Sequence, residues 1–302
     1  MNRKKVAIIG SNGRLGRSLQ EVCQTDHDIS ALTRHDLDLA WSDRKIREAL
    51  DQHAQGSDVA LLSAGNTNVD QCEVSPEDAE QLNVTAVSSI ARWCAEREIR
   101  FINFSSDYVF DGHKDSPYTE DDPVSPLSIY GQSKADGEEA TLDASDRNLV
   151  VRLTWLYGPG KPLATPDWAV DLAVKNEHLN VVSDRIGSPS YTGDMAEALF
   201  PLLFDDQTAT GLLHLCNAGS CTWQEWAQFC LDSAKACGVE LRTHTVDPLT
   251  MDELFGDRAT RPKYTVLSTA KYEAMTGRTL PDWREPLKHY IETYVAPRFL
   301  RI

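Results

Sequence analysis

Tyr130 and Lys134 lie four residues apart in Tyr130-Gly131-Gln132-Ser133-Lys134. On a helix, residues at this spacing share one face, so the phenol and the ammonium would point the same way. A nearby ammonium stabilises a phenolate and would lower the tyrosine pKa from its usual value of about 10. Such a tyrosine can donate a proton to an oxygen that gains negative charge, as a carbonyl oxygen does during reduction. Because this spacing is also common on helix surfaces, the remaining elements must support the chemistry.

A glycine-rich turn follows the first apolar run of the chain. Residues 6–9 are fully hydrophobic, as expected for a central strand of a parallel sheet. Glycine then occupies every third position at Gly10, Gly13 and Gly16, and a helical pattern follows. A strand, a glycine turn and a helix in this order place a diphosphate at a helix N-terminus. The sequence therefore predicts a nucleotide-binding site at this turn.

The end of the second strand indicates which nucleotide binds. Residues 29–32 form this strand, and Thr33, Arg34 and His35 follow where a carboxylate often binds a ribose hydroxyl. The missing carboxylate and the arginine favour the 2′-phosphate of NADPH, with assistance from Arg14, whereas NADH stays an alternative. Arg34 could equally be a solvated loop residue.

Two further strands end in small polar residues. Residues 59–62 lead into Ser63-Ala64-Gly65-Asn66, and residues 101–104 lead into Ser105-Ser106-Asp107. Ligands bind at the carboxyl edge of such sheets. Ser106 precedes Tyr130 by 24 residues, and its hydroxyl could bond a substrate carbonyl there or simply cap a turn. Asn83 falls within a predicted helix over residues 77–97 and would need a polar partner if it faces the sheet.

Charge and cysteine content restrict the partners and the compartment. The formal net charge of −16 over 302 residues disfavours nucleic acid and anionic membranes as partners. The apolar run at residues 6–9 is too short for a signal sequence. Seven scattered cysteines lack metal-ligand spacing and are expected to be buried thiols. We therefore expect a cytoplasmic protein, and no group of residues predicts a metal site.

The order of elements predicts an α/β protein with a doubly wound parallel sheet, a Rossmann fold, and a smaller, partly discontinuous α/β substrate lobe. We assign residues 1–156 to the NAD(P)-binding domain, with residues 191–221 returning to it. Residues 157–302 form mainly the substrate lobe. Further predicted elements are strands at 148–153, 179–182 and 212–215 and helices at 43–53, 194–204, 223–237 and 283–294. The aromatic residues Trp223, Trp226 and Phe229 fall at helical spacing and are expected in the core.

Several motifs, in order along almost the whole chain, resemble the dTDP-4-dehydrorhamnose reductase family of extended short-chain dehydrogenase/reductases. They are the glycine turn, Asp36-Leu37-Asp38, Val69-Asp70-Gln71-Cys72-Glu73, Ser105-Ser106-Asp107-Tyr108-Val109-Phe110-Asp111-Gly112, Tyr130-Gly131-Gln132-Ser133-Lys134, Val151-Arg152-Leu153-Thr154-Trp155-Leu156-Tyr157-Gly158, Ser183-Asp184-Arg185-Ile186-Gly187-Ser188-Pro189 and Arg261-Pro262. The resemblance implies NADPH-dependent reduction of the 4-keto group of a deoxy nucleotide sugar, in dTDP-L-rhamnose biosynthesis.

The resemblance also implies roles for residues. Tyr130 would donate the proton, Lys134 would tune it and hold the nicotinamide ribose, and Ser106 would replace the usual threonine of the family. The expected cofactor-binding residues are Gly10, Asn12, Gly13, Arg14, Leu15, Thr33, Arg34, Asp38, Leu39, Ala64, Gly65, Asn66, Tyr130 and Lys134. The expected substrate contacts are Ser106, Asp107, Trp155, Arg185 and Arg261, with Arg185, Arg261 and Lys263 as candidates for the diphosphate because guanidinium and ammonium groups bind phosphate oxygens.

Other functions remain open on the sequence alone. Ser63-Ala64-Gly65-Asn66, Ser106 and the stretch 158–168 depart from the family pattern, which leaves the identity of the sugar open. A nucleotide-sugar epimerase or dehydratase shares the fold, although dehydratases usually have Asp-Glu where this chain has Asp107-Tyr108. A regulatory subunit like that of methionine adenosyltransferase also resembles this family. A homodimer stays open.

Overall fold

The computed structural model describes residues 3–205, 208–256 and 258–300. Its strands are β1 (Lys5–Ile9), β2 (Asp28–Leu32), β3 (Val59–Leu62), β4 (Arg100–Ser106), β5 (Leu149–Leu153), β6 (Leu156–Tyr157), β7 (Asn180–Val182), β8 (Ile186–Gly187), β9 (Ser190–Tyr191), β10 (Gly211–His214), β11 (Cys221–Thr222) and β12 (Asp247–Leu249). Its helices are α1 (Arg14–Cys23), α2 (Asp43–His53), α3 (Val69–Val74), α4 (Pro76–Glu80), α5 (Ala86–Ala95), α6 (Ile129–Ala144), α7 (Thr165–Lys175), α8 (Thr192–Leu199), α9 (Trp223–Ala236), α10 (Met251–Phe255), α11 (Ala270–Thr276) and α12 (Arg284–Tyr290).

Six parallel strands form the central sheet in the order β10-β5-β4-β3-β1-β2. The chain leaves β1 toward β2 on one side and continues with β3 on the other, so the strand order reverses beside β1. In doubly wound sheets this reversal opens a crevice at the carboxyl ends of the strands. The predicted α/β doubly wound fold is confirmed.

Hydrophobic side chains cover both faces of the sheet. On one face, Val6 and Ile8 of β1 pack with α1 and α8. On the other face, Ala7 and Ile9 pack with α2 and α5. Strands buried on both sides need continuous apolar runs, which explains the composition of β1 and β3.

A third hydrophobic cluster lies in the C-terminal half of the chain. It joins α7, α9 and α12 around Trp226, Trp283 and Tyr290. Strand β7 pairs with β12 outside the central sheet, whereas β10 pairs with β5 inside it. The proposed division into a cofactor domain and a substrate lobe is compatible with this separate cluster and stays a prediction.

The helix predicted over residues 77–97 is interrupted. Helix α4 leads into a π-helical turn, Gln81–Thr85, before α5 begins. The turn contains Asn83, which is buried, and an added Cβ on Gly137 of α6 would lie 2.4 Å from the Asn83 carbonyl oxygen. The last helix is similarly divided, since the π-helical turn Ile291–Val295 follows α12. Single π-helical turns inside helices often occur near functional sites.

The predicted helix over residues 194–204 begins earlier and ends earlier. Helix α8 starts at Thr192, and a 3₁₀ turn, Phe200–Leu202, replaces its expected continuation. Pro201 explains the change, because proline removes a helical N–H donor. None of the helices in the described ranges is both long and apolar enough to cross a membrane.

Candidate active site

A cavity of about 810 Å³ opens at the carboxyl ends of β1, β3, β4 and β5. This volume is in the range of small-molecule and cofactor sites. Of the predicted site residues, the lining includes Gly10, Asn12, Gly13, Arg14, Leu15, Arg34, Asp38, Leu39, Ala64, Gly65, Ser106, Asp107, Tyr130, Lys134, Trp155 and Arg185. The sheet edge thus brings together residues that are far apart in the sequence.

The glycine turn packs too tightly to accept side chains. Gly10 has φ +84°, and an added Cβ on Gly16 would lie 2.3 Å from the Gly10 carbonyl oxygen. Gly13 precedes α1 and provides no side-chain cap, so the first N–H groups of the helix are left for a ligand. The N-terminus of a helix with free N–H groups favours phosphate binding. This arrangement fits a dinucleotide diphosphate.

Asn83 organises the loop after β3. Its side-chain oxygen accepts a bond from the Asn66 N–H at 2.8 Å, and its amide donates to the Asn66 carbonyl and to Ser133 Oγ, both at 3.0 Å. The prediction that a buried Asn83 would need polar partners is therefore confirmed. The predicted cofactor residue Asn66 does not itself line the cavity, although its neighbour Gly65 does.

Helix α6 carries Tyr130 and Lys134 into the cavity. Ser128 caps the helix by accepting the Gly131 N–H at 3.2 Å. Glu73 of α3 accepts the Ile129 N–H at 2.7 Å. With these two caps, the first turn of α6 and hence Tyr130 are held in a fixed position. Both Tyr130 and Lys134 are 7% exposed.

Burial sets the protonation of this pair. It raises the pKa of Tyr130, although a hydrogen-bonding interaction with Ser106 acts in the lowering direction. Burial also lowers the pKa of Lys134 to about 8, against the opposing influence of the Glu138 carboxylate. The predicted lowering of the Tyr130 pKa is therefore wrong for this arrangement, because burial disfavours the phenolate more than the Ser106 interaction favours it. The Lys134 ammonium donates to the Phe104 carbonyl at 2.7 Å. Tyr130 holds its proton at neutral pH, the form that a proton donor needs.

Ser106 lies at the end of β4 and is bonded to the next residue. Its hydroxyl donates to Asp107 Oδ1 at 2.9 Å, and Thr154 Oγ1 donates to Asp107 Oδ2 at 2.9 Å. Burial raises the pKa of Asp107, whereas the Arg185 guanidinium, 4.0 Å away, lowers it. This buried network fixes the orientation of the Ser106 hydroxyl beside Tyr130.

Arg185 is enclosed by aromatic rings. Its guanidinium carbon lies 4.9 Å from the ring centre of Tyr108, 5.5 Å from that of Trp155 and 4.9 Å from that of Trp223. Arg185 is 1% exposed, and its Nε and Nη2 atoms have no hydrogen-bond partner among the described residues. A buried, incompletely bonded guanidinium that lines a cavity is suited to bind an anionic ligand.

Three tryptophans, Trp155, Trp223 and Trp226, form an aromatic wall of the cavity. Trp155 has an unusual φ of +43° and stacks on Trp226 at 5.6 Å, while Trp223 lies edge-on at 5.7 Å from Trp155. An added Cβ on Gly187 would lie 2.5 Å from the Trp155 ring, so glycine is required there. The expectation that Trp223 and Trp226 belong to the core is confirmed, and both also line the cavity.

Several predicted residues lie outside the cavity lining. The Thr33 N–H and hydroxyl both donate to Asp36 at 2.8 Å. Arg261 is bonded to Asp70 at 2.9 Å, and Lys263 is bonded to Asp184 at 3.1 Å. Arg261 and Lys263, which were candidates for the substrate diphosphate, are thus paired with carboxylates. Arg185 is the third of these candidates, and it lines the cavity.

Arg34 and Arg14 line the cavity and are also bonded to the protein. Arg34 Nε contacts Asp38 Oδ2 at 3.0 Å at the surface. The Arg14 guanidinium donates to the carbonyls of Gly158 and Pro162. The side chain of Arg14 is therefore bonded to the segment that contains Gly158 and Pro162. Arg14 is also the first residue of α1.

Sequence reasoning missed part of the lining. Lys161, Pro162, Leu163 and Trp168 belong to the stretch 158–168, which was noted only as a departure from the family pattern. The proline and glycine content of this stretch was the available signal for a loop near a ligand. Among the described residues, no three His, Cys, Asp or Glu side chains are grouped so that they could hold a metal ion.

Comparisons with known proteins identify related chains. The family model described as "RmlD substrate binding domain" matches residues 4–296. SpsK of Bacillus subtilis, a spore coat polysaccharide biosynthesis protein, is 34% identical over 95% of this chain and 97% of its own length. A dTDP-4-dehydrorhamnose reductase of Mycolicibacterium smegmatis is 33% identical over 97% of this chain and 86% of its own length. The crystal structure of dTDP-4-dehydrorhamnose reductase from Bacillus anthracis with NADP has a TM-score of 0.87 at 28% identity, covering 95% of this chain and 98% of that one.

Proposed function

Because the chain belongs to the RmlD substrate binding domain family, we propose that it is an NADPH-dependent reductase of the 4-keto group of a deoxy nucleotide sugar, acting in dTDP-L-rhamnose biosynthesis. The single observation that carries this proposal is the arrangement of Tyr130, Lys134 and Ser106 in one cavity with a glycine turn. NADH remains a second cofactor that the same turn could bind.

The residues present fit a nicotinamide dinucleotide. The glycine turn and the N-terminus of α1 would hold the diphosphate, and Asp38 and Leu39 would contact the adenosine. Ala64, Gly65 and Lys134 would contact the ribose and nicotinamide side. When bound, this cofactor supplies the hydride.

Tyr130 donates the proton in this mechanism. Its raised pKa keeps the phenol protonated until the carbonyl oxygen gains negative charge. The Lys134 ammonium then stabilises the resulting phenolate, and a positive group in a buried site is effective because little water screens it. When substrate is bound, the Ser106 hydroxyl would turn its single proton from Asp107 to the same carbonyl oxygen and so position the carbonyl beside Tyr130.

The aromatic wall would bind the rest of the substrate. Trp155 and Asp107 would contact the sugar, and Arg185, which lines the cavity, would bind the diphosphate. Arg261 would act indirectly, because its bond to Asp70 joins the loop before Pro262 to helix α3.

The division of the chain follows from these roles. We assign residues 1–156 and 191–221 to the cofactor domain and residues 157–302 mainly to the substrate lobe. The seven cysteines are free thiols, six of them buried, which supports a cytoplasmic location, where thiols stay reduced. A homodimer is part of the same proposal.

The test follows the absorbance of NADPH in the presence of dTDP-4-keto-6-deoxy-L-lyxo-hexose, made in place by a dehydratase and an epimerase. Rapid loss of NADPH is the expected result. NAD retained through purification and turnover without net NADPH loss would instead indicate an epimerase or dehydratase. Cofactor binding with no turnover of any keto sugar, together with co-purification of a partner enzyme, would indicate a regulatory subunit.

A further inference from the structure

A short segment, residues 158–164, lines the cavity beside the glycine turn and the N-terminus of α1. It connects β6 to α7, and Lys161, Pro162, Leu163 and Ala164 line the same cavity as Gly13. The segment therefore contributes a wall on the cofactor side, although it comes from the half of the chain that was assigned to the substrate.

Arg14 fixes this segment against the glycine turn. Its two terminal nitrogens donate separately to the carbonyls of Gly158 and Pro162. An added Cβ on Gly160 would lie 3.5 Å from the Arg14 Cα atom, so the two backbones are in close contact. Arg14 is thus used to hold two parts of the chain together.

Tyr290 and Asp167 hold the two ends of the segment 158–164. The Tyr290 hydroxyl approaches the Gly158 carbonyl at 3.2 Å, and the Ala164 N–H donates to Asp167 Oδ2 at 3.1 Å. Asp167 is itself bonded to Arg298 at 2.8 Å. With both ends held, the position of Lys161 between them is restricted.

Five cationic side chains line the cavity, and they differ in their partners. They are Arg14, Arg34, Lys134, Lys161 and Arg185. Arg14 and Lys134 are bonded to backbone carbonyls, and Arg34 and Arg185 lie beside aspartates. Within the described ranges, Lys161 has no hydrogen-bond or ion-pair partner, and its side chain is exposed at the cavity mouth.

Resting on the proposed function, we infer that Lys161 binds a phosphate group of the dinucleotide beside the N-terminus of α1. The Arg14 side chain then acts as a positioning residue, which places Lys161 by docking its segment. A dinucleotide phosphate is the fitting ligand because α1 offers free N–H groups at the same place and the chain otherwise carries a formal net charge of −16.

The test is the affinity of the full chain for NADPH and for NADH, measured by the fluorescence of the reduced nicotinamide without any sugar nucleotide. Lys161→Ala is compared with Lys175→Ala, a matched change at an exposed lysine at the end of α7 that does not line the cavity. We expect Lys161→Ala to raise the Kd for NADPH about 3- to 10-fold in low salt, with a smaller ratio in high salt. Lys161→Arg should retain most of the affinity.

The outcomes distinguish which phosphate group of the cofactor Lys161 binds. Equal weakening of NADPH and NADH identifies the diphosphate, and weakening of NADPH alone identifies the 2′-phosphate; either supports the inference. Unchanged affinity for both cofactors, or a loss confined to dTDP binding, overturns it. The proposed function fails separately, since a chain that binds NADPH through Lys161 but reduces no keto sugar refutes the function and leaves this inference intact.

Discussion

The wall of the cavity formed by β4 and α6 differs from the wall formed by the tryptophans in how its polar groups are bonded. On the sheet side, Lys134 donates to the Phe104 carbonyl and Asn83 is bonded to Asn66 and Ser133. Behind them, Arg152 and Glu138 form a buried ion pair with contacts at 2.8 and 2.6 Å. This wall is held by bonds within the protein.

The aromatic wall leaves buried donors without partners. Within the described residues, the indole N–H groups of Trp155, Trp223 and Trp226 have no hydrogen-bond partner, and neither do Nε and Nη2 of Arg185. Buried donors are usually paired in folded proteins. The difference indicates that Lys134, Asn83 and Arg152 on the sheet side are preorganised by bonds within the protein. The buried donors of the aromatic side have no such partners among the described residues.

The largest expected effect concerns the buried ion pair on the sheet side of the cavity. Glu138→Gln leaves the Arg152 guanidinium, which is 1% exposed, without a compensating charge. Breaking a buried ion pair by removing one partner costs about 3–5 kcal/mol. We expect the free energy of unfolding, measured in urea, to fall by about that amount.

The matched control is Glu139→Gln, one residue along α6 at an exposed position. It should change the free energy of unfolding by less than about 0.5 kcal/mol. If Glu138→Gln were equally mild, the sheet side would not depend on its internal ion pair, and the contrast between the walls would lose its physical basis.

A pair of glycine substitutions separates the two walls. Gly16→Ala forces a Cβ against the Gly10 carbonyl and should weaken NADPH binding about 10-fold or more, with little effect on dTDP affinity. Gly187→Ala forces a Cβ against Trp155. It should weaken dTDP binding and have little effect on the affinity for NADPH. Each affinity can be measured by calorimetry with one ligand at a time. Loss of the same ligand in both variants would show that the walls are not distinct sites.

The pH dependence of turnover reports on the charge of Lys134, on the sheet side of the cavity. Burial lowers the pKa of Lys134 to about 8, so its ammonium is present below that pH and lost above it. We expect kcat/KM for NADPH, which reports groups of the free enzyme, to fall about 10-fold per pH unit above pH 8. Lys134→Arg, charged throughout this range, should lose that decline in its remaining activity. A wild-type profile that stays flat to pH 9.5 would be inconsistent with a required ammonium.

The smallest expected effect lies at the cavity rim. Arg34 is exposed and already bonded to Asp38, so its contribution to a 2′-phosphate is that of a surface pair, about 1 kcal/mol. Arg34→Ala should therefore raise the Kd for NADPH about 5-fold and leave NADH unchanged. Arg44→Ala, an exposed arginine paired with Glu48 on α2, is the control. An equal rise in Kd for NADPH and NADH would show that Arg34 does not contribute to the preference for NADPH.

The sheet side was largely predictable from the sequence. Strand β1, the glycine turn and Tyr130 to Lys134 are contiguous motifs, and parallel strands bring their carboxyl ends to one edge. The ends of β3 and β4 were identified in the same way. For these elements, the sequence motif alone predicted the position at the sheet edge that the structure shows.

The aromatic side was less predictable because it depends on long-range contacts. Trp223 and Trp226 show the helical spacing of core residues, and only their packing against Trp155 reveals that they also face the cavity. The pairing of Arg261 with Asp70 joins residues 191 positions apart. The lowered tyrosine pKa was expected from spacing alone, whereas burial of Tyr130 decided its direction.

The most direct test of this account is Tyr130→Phe, assayed for NADPH binding and for NADPH consumption with the 4-keto sugar. The variant keeps the ring that packs beside Tyr108 and removes only the proton donor. We predict unchanged NADPH affinity and a loss of turnover of about 10²–10⁴-fold. Turnover close to that of the unmodified chain would contradict the assignment of Tyr130 as the proton donor.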